Sequence, residues 1–233
     1  MKSQLMMKDI KKPKFLMAFS IFYVLLILLT VLVENRVIAV GPLHVLSGSL
    51  IIPFSFMLGD VITEVYGYRE MRRLIWVAIL GLYFVTAVLD FIMILPSPSN
   101  QIAVNHDYQV VLSPFQKNVF CFSVAAIASS FLNSYVLSKW KILIKGRFFW
   151  MRSLGSSFVG EIIFIFTWAL LGFINEFPLM ELLELMAVSY AYKVVCNLIG
   201  ILPISIFTKF IKRSECLDTY DYGIKFNPFR VSV

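Results

Sequence analysis

This sequence predicts an all-α integral membrane protein, a six-transmembrane-helix bundle with both termini cytoplasmic, and three observations carry that prediction. Of the 233 residues, 59% are hydrophobic and 15% charged, and the mean hydropathy is +0.82. Soluble domains hold about 45–50% apolar and about 25% charged residues, so a single water-facing core has no room for this much apolar surface. Six stretches are long and apolar enough to cross a hydrocarbon layer of ~30 Å at ~1.5 Å per residue. Finally, the basic residues segregate to one side of those stretches, as cytoplasmic loops require.

The first span, Phe15–Val33, is an uninterrupted apolar run with no small-residue cleavage site after it, so it reads as a retained helix rather than a signal peptide. The second, Leu43–Tyr66, follows Gly41-Pro42 and contains Gly48, Pro53 and Gly59. These positions predict an irregular or kinked helix, of the kind that lines substrate sites in transporters. The third, Leu74–Leu95, ends at the turn-rich PSPSN. That motif opens the longest connection, Pro96–Lys117, read as a solvated cap. The fourth, Val119–Trp140, and the fifth, Leu154–Ile174, carry small residues four apart, Ala125–Ser129, Ala126–Ser130, Ser130–Ser134 and Ser156–Gly160, which allow close helix packing. The sixth runs from about Leu182 to Phe210, and the polar, aromatic tail beyond it is expected along the membrane face. Together the spans read as one membrane domain over residues 1–233.

Eighteen of the 21 Lys and Arg lie before the first span, between the second and third, between the fourth and fifth, or at and after the end of the sixth. Arg36 and Lys117 lie on the other side, and Lys193 lies inside a span. The net charge of +7 is thereby explained by topology, and no nucleic-acid partner is implied. Cys121, Cys196 and Cys216 form no CxxC pair, and His44 and His106 are far apart, so no metal, cofactor or disulfide is expected. No ATP-binding or hydrolase motif is present, and a non-enzymatic protein is expected.

An ionisable group at mid-depth costs about 2.5–3.5 kcal/mol on insertion scales and is a functional candidate by default. Asp60 and Glu64 lie four apart, on one helical face. They are either site residues or interfacial groups snorkelling toward Arg69, Arg72 and Arg73. Asp90 reads as interfacial. Glu161 and Lys193, from different spans, suggest an acid and a base that neutralise each other or grip a polar ligand. Asn133 and Asn197 add neutral donors and acceptors. Trp76, Trp140 and Trp150 suit an interfacial belt, whereas Trp168 is deeper and is placed either to stack on a planar ligand or to pack.

The segment Leu58–Trp76, LGDVITEVYGYREMRRLIW, resembles the signature of the queuosine precursor transporter family, also called vitamin uptake transporters. Asp60, Thr63, Glu64, Val65, Tyr66, Gly67, Arg72, Arg73 and Trp76 carry the likeness. It continues through Arg152, Ser153, Ser156, Gly160 and Glu161 in the fifth span, and through Tyr192, Lys193 and Pro203 in the sixth. The resemblance implies a bacterial inner-membrane carrier for 7-cyano-7-deazaguanine or 7-aminomethyl-7-deazaguanine, the bases from which queuosine of tRNA is made. Asp60, Glu64, Asn133, Glu161, Trp168, Tyr192, Lys193 and Asn197 are then the expected substrate-binding residues. Pro53, Gly59, Tyr66, Gly67, Arg72, Arg73 and Arg152 are the expected structural or gating ones. A deazaguanine offers N–H donors that carboxylates accept and a flat face for aromatics. The alternative is the substrate-capture subunit of a multi-component importer. A ligand-free structural or assembly protein is a third class, and the oligomeric state stays open.

Overall fold

The computed structural model describes residues 13–34, 36–40, 43–174, 177–223 and 226–229. The expectations placed on Lys2, Lys8, Lys11, Lys12, Gly41-Pro42, Lys225 and Arg230 lie outside the described residues. The chain is an all-α bundle with six helices long and apolar enough to cross a membrane. In order it forms α1 (Leu16–Val33), a hairpin of β1 (Val37–Val40) and β2 (Leu43–Leu46), α2 (Ser47–Tyr66) and α3 (Tyr68–Ile94). A short α4 (Ile102–Leu112), α5 (Phe115–Leu143), α6 (Phe149–Gly172) and α7 (Leu179–Glu215) follow. The spanning helices are α1, α2, α3, α5, α6 and α7.

Burial follows from which faces the helices share. α5 and α6 form the most extensive helix pair. Gly160 is the reason they approach so closely, because a Cβ there would press on Asn133 Cβ at 3.1 Å and Ser129 O at 3.3 Å. α2 is the most enclosed span, and its buried face holds Ile52, Phe56, Asp60, Thr63 and Glu64. α1, α3 and α7 keep much of their apolar surface outward, as lipid-facing helices do.

Four local expectations are corrected. The second span begins at Ser47 rather than Leu43, because β-branched residues of 37–40 pair antiparallel with 43–46, and Ser47 N and Oγ both donate to Arg36 O. α2 is continuous through Pro53, since the helix absorbs the missing N–H without unwinding. Much of the connection Pro96–Lys117 is helical: a 3-10 turn at Ser99–Gln101 leads into α4, whose residues are exposed or half-buried. Its apolar Ile102, Val104, Val110 and Val111 suit an interfacial helix more than a solvated cap.

The tail makes the fourth correction. Instead of lying along the surface, it straps the end of the bundle where α2 meets α3. Thr219 N donates to Val65 O at 3.3 Å, and Asp221 Oδ2 accepts from Tyr68 N at 3.0 Å and Ser138 Oγ at 2.5 Å. Asp221 thereby supplies the N-terminal cap of α3, which Gly67 lacks a side chain to give. Phe226 packs between Tyr68 and Tyr135, and Phe229 lies against Trp76. At the same end Glu215 accepts from the backbone N–H of Lys14 and Phe15, placing a carboxylate at the start of α1 where the helix dipole favours one.

Candidate functional site

Polar side chains run through the bundle from one end to the other in three tiers. At the end held by the tail, Glu64 of α2 has a fully buried side chain. Arg152 of α6, also fully buried, grips it with two hydrogen bonds of 2.7 and 3.0 Å. Lys212 of α7 donates to Glu64 Oε1 at 2.6 Å, while Lys141 of α5 donates to the Glu64 backbone oxygen at 2.6 Å. Asp218 of the tail joins both lysines, at 2.6 and 2.8 Å. Burial works against its charge, but the bonds and fields of Lys141 and Lys212 outweigh that and hold its carboxyl below the usual range. Three cations and two carboxylates from four helices and the tail thus close this end.

The middle tier begins one turn along α2. Asp60 accepts from Asn133 Nδ2 at 2.7 Å, from Ser157 Oγ at 3.3 Å and from Ser153 Oγ. Deeper still, Glu161 of α6 accepts from Asn197 Nδ2 of α7 at 2.7 Å, and its Oε2 is buried with no hydrogen-bond partner among the described residues. Lys193, one turn before Asn197, lies with Nζ 4.6 Å from the Phe164 ring centroid. Its charge acts on Glu161 and on Glu34 together.

The third tier is a narrow cleft lined by Glu34, Ser49, Phe164, Trp168, Ser189 and Lys193, among others. About 10 Å³ of it is free, room for a single water. Leu185 belongs to this cleft and also to a wider cavity of about 250 Å³ lined by Val37, His44, Glu181 and Glu184, so the two adjoin.

The structure therefore brings Glu161, Lys193, Asn197 and Trp168 together, with Trp168 6% exposed and 4.4 Å from the Phe173 ring. Asn133 serves Asp60. Tyr192 is half-buried and engages Cys196 one turn on, away from the cleft. The direct Glu161–Lys193 ion pair is not formed among the described residues: Glu161 Oε1 accepts from Asn197, and Lys193 Nζ lies over the Phe164 ring. Counter-charges for Glu64 come from Arg152, Lys141 and Lys212, and not from the α2–α3 loop. Arg72 donates to Asn227 O at 2.9 Å, Arg73 pairs with Glu70, and Trp76 Nε1 donates to Pro228 O at 2.9 Å. Tyr66 donates to Glu215 at 2.8 Å, and Gly67 adopts φ +93°, a conformation glycine tolerates best. The signature residues Arg72 and Trp76, together with Tyr68, thus receive the tail. Pro53 and Gly59 are buried in α2, where a Cβ at Gly59 would reach Met71 at 3.0 Å. Asp90 is half-buried at the far end of α3 and accepts from Gln116.

Several members of the site escaped sequence reasoning: Lys141 and Lys212 read only as topology-setting charges, and Glu34 and Asp218 were not singled out. Glu34 sits just past a span and reads as a loop residue, yet it is 6% exposed on the cleft wall. Asp218 looked like an ordinary tail residue. A carboxylate at the C-terminal end of an apolar helix, where the dipole disfavours it, is the signal that marks Glu34.

A six-helix membrane bundle with a tiered polar interior, closed by charges at one end and cleft at the other, has the architecture of a small-molecule carrier. Residues 47–208, from the start of α2 into the last turns of α7, match the family described as "Putative vitamin uptake transporter". The chain belongs to that family. Among relatives, it is 24% identical over 147 residues to the "Probable queuosine precursor transporter" of Bacillus subtilis (strain 168), an overlap covering 63% of this chain and 64% of the relative. No solved structure matches the chain.

Proposed function

We propose that this protein imports a queuosine precursor, 7-cyano-7-deazaguanine and with it 7-aminomethyl-7-deazaguanine, across a bacterial inner membrane, with residues 1–233 acting as one domain. The observation that carries the reading is the unspent polarity at mid-depth. Among the described residues Glu161 Oε2 has no partner and Lys193 has no hydrogen bond, and Lys193 lies over the Phe164 ring in the cleft that Trp168 also lines. In hydrocarbon such groups are costly unless a ligand completes them. A deazaguanine supplies that complement: N–H donors for the carboxylate, a ring carbonyl for Lys193 Nζ, and a flat face for Trp168.

The closed cleft admits no bicyclic base, so transport requires the helices to part. With the basic end facing the cytoplasm, N-in and C-in, the Glu64 network is the inner gate and the His44–Glu181–Glu184 cavity is the outer vestibule. Rocking about the Asp60 tier then exposes Glu161 and Lys193 to each side in turn. Glu161, Lys193, Asn197 and Trp168 hold the base; Asp60 with Asn133 holds α2 to α5 and α6; Arg152 and Glu64 seal the inner end.

The test is uptake of labelled 7-cyano-7-deazaguanine into proteoliposomes holding only this protein, with and without a pH gradient. Saturable uptake supports an autonomous carrier. Binding without uptake makes the chain a capture subunit, and absence of both removes this substrate.

A further inference from the structure

We propose that Glu34 is a substrate-contacting residue, reading the guanidine-like edge of the transported base, its ring N–H and 2-amino group. The inference rests on the proposed import of a deazaguanine and adds a residue lying outside the matched stretch 47–208.

Glu34 stands where structure alone disfavours a carboxylate. It is buried, it follows the last residue of α1, where the helix dipole opposes negative charge, and among the described residues its carboxylate has no hydrogen bond. It is held there by shape. Gly48 at the start of α2 faces it, and a Cβ at that position would collide with the Glu34 carboxylate and Thr30 O. The space a side chain would take is given to the acid.

Its neighbours explain what it awaits. Lys193, which lines the same cleft, is the cation whose field reaches it, but Lys193 is shared with Glu161, so two carboxylates draw on one ammonium. Asp60 accepts from three donors and Glu64 is held by its cations, whereas among the described residues Glu161 Oε2 and Asn133 Oδ1 are buried without a partner and no hydrogen bond reaches the Glu34 carboxylate. A carboxylate accepts two parallel N–H bonds in one plane, and the ring N–H and 2-amino group of a deazaguanine present that pair. The cleft that Glu34 lines shares Leu185 with the wider cavity, so a base passing from that cavity into the cleft comes within reach of Glu34.

Competition in proteoliposomes separates the possibilities. Labelled 7-cyano-7-deazaguanine is challenged with the unlabelled base or with its 2-deamino analogue. Wild-type protein is expected to prefer the 2-amino base by about tenfold or more, because a site built to pair a donor is left unsatisfied by an analogue without it. Glu34→Gln is expected to bring the two within about threefold of each other. Glu34→Asp, which keeps the charge but retracts it by one methylene, is expected to fall between and serves where the amide variant does not fold. Unchanged selectivity in the folded variants overturns the proposal, as does an equal loss of affinity for both bases, which marks Glu34 as a mere counter-ion for Lys193. Wild-type protein that takes up neither base instead overturns the import reading on which the proposal stands.

Discussion

Glu64→Gln removes one charge from the closed end of the bundle while keeping the side chain's size. Before the change, Arg152, Lys141 and Lys212 face Glu64 and Asp218, an excess of one positive charge; after it the excess is two. Arg152 suffers most. Its fully buried guanidinium exchanges two carboxylate bonds for at most one to the neutral amide oxygen, beside the backbone oxygens of Arg147 at 3.1 Å and Gly146 at 3.4 Å. Breaking a buried pair from one side costs about 3–5 kcal/mol, because the stranded charge stays desolvated. Asp218→Asn touches the same lysines, but that carboxylate is 44% exposed, so its loss is expected to cost under about 1 kcal/mol. The assay is reversible unfolding of the purified protein in mixed micelles, following helicity against denaturing detergent. Glu64→Gln with Arg152→Met should recover about 2 kcal/mol relative to the sum of the single changes, since the double variant removes the orphaned cation. A Glu64→Gln cost below 1 kcal/mol, or strict additivity with Arg152→Met, would refute the account of this end as an interlocked network.

Four other outcomes are expected. Asp60→Ala strands Asn133 Nδ2 and the hydroxyls of Ser153 and Ser157, and should cost about 2–4 kcal/mol in the same unfolding assay, with Asp60→Asn costing less. Gly67→Ala forces a Cβ at φ +93° against Thr219 and Asp221; it should destabilise by about 1–3 kcal/mol and speed protease cleavage of the tail. The lowered Asp218 carboxyl contributes its stabilisation in full above its unfolded value near ~3.9 and loses it as pH falls through the folded value. Tail resistance to an acid-active protease should therefore hold constant above about pH 5 and decline below about pH 4, a decline that Asp218→Asn flattens. In cells unable to make the precursor but able to insert it, the gene should restore tRNA queuosine, and Glu161→Gln or Lys193→Met should reduce restoration at least about tenfold; full restoration by either would remove that residue from the site.

Much of the bundle was legible because lipid imposes a rule that sequence must obey locally. Each span satisfies its own backbone hydrogen bonds, so a long apolar run is a helix whatever its neighbours do. The hairpin after α1 and the interfacial α4 were harder to read, since segments of four to eleven residues with mixed polarity are compatible with several conformations until a partner is present.

The candidate site divides along the same line. Asp60, Glu64, Glu161 and Lys193 stood out because a charge inside a span is anomalous in one dimension. Which charge meets which was hidden, because side chains far apart in sequence are paired only by packing: Arg152 with Glu64 across 88 positions, Asp221 with Ser138 across 83. Sequence by itself determined the solvent, the number of spans and the anomalous charges, all of which depend on composition along a segment. Tertiary structure alone decided that Glu64 is a locked ion cluster, that the tail caps α3, and that Glu34 and Glu161 retain unspent acceptors. Those properties depend on which surfaces meet in three dimensions, where burial sets the cost of every unpaired group.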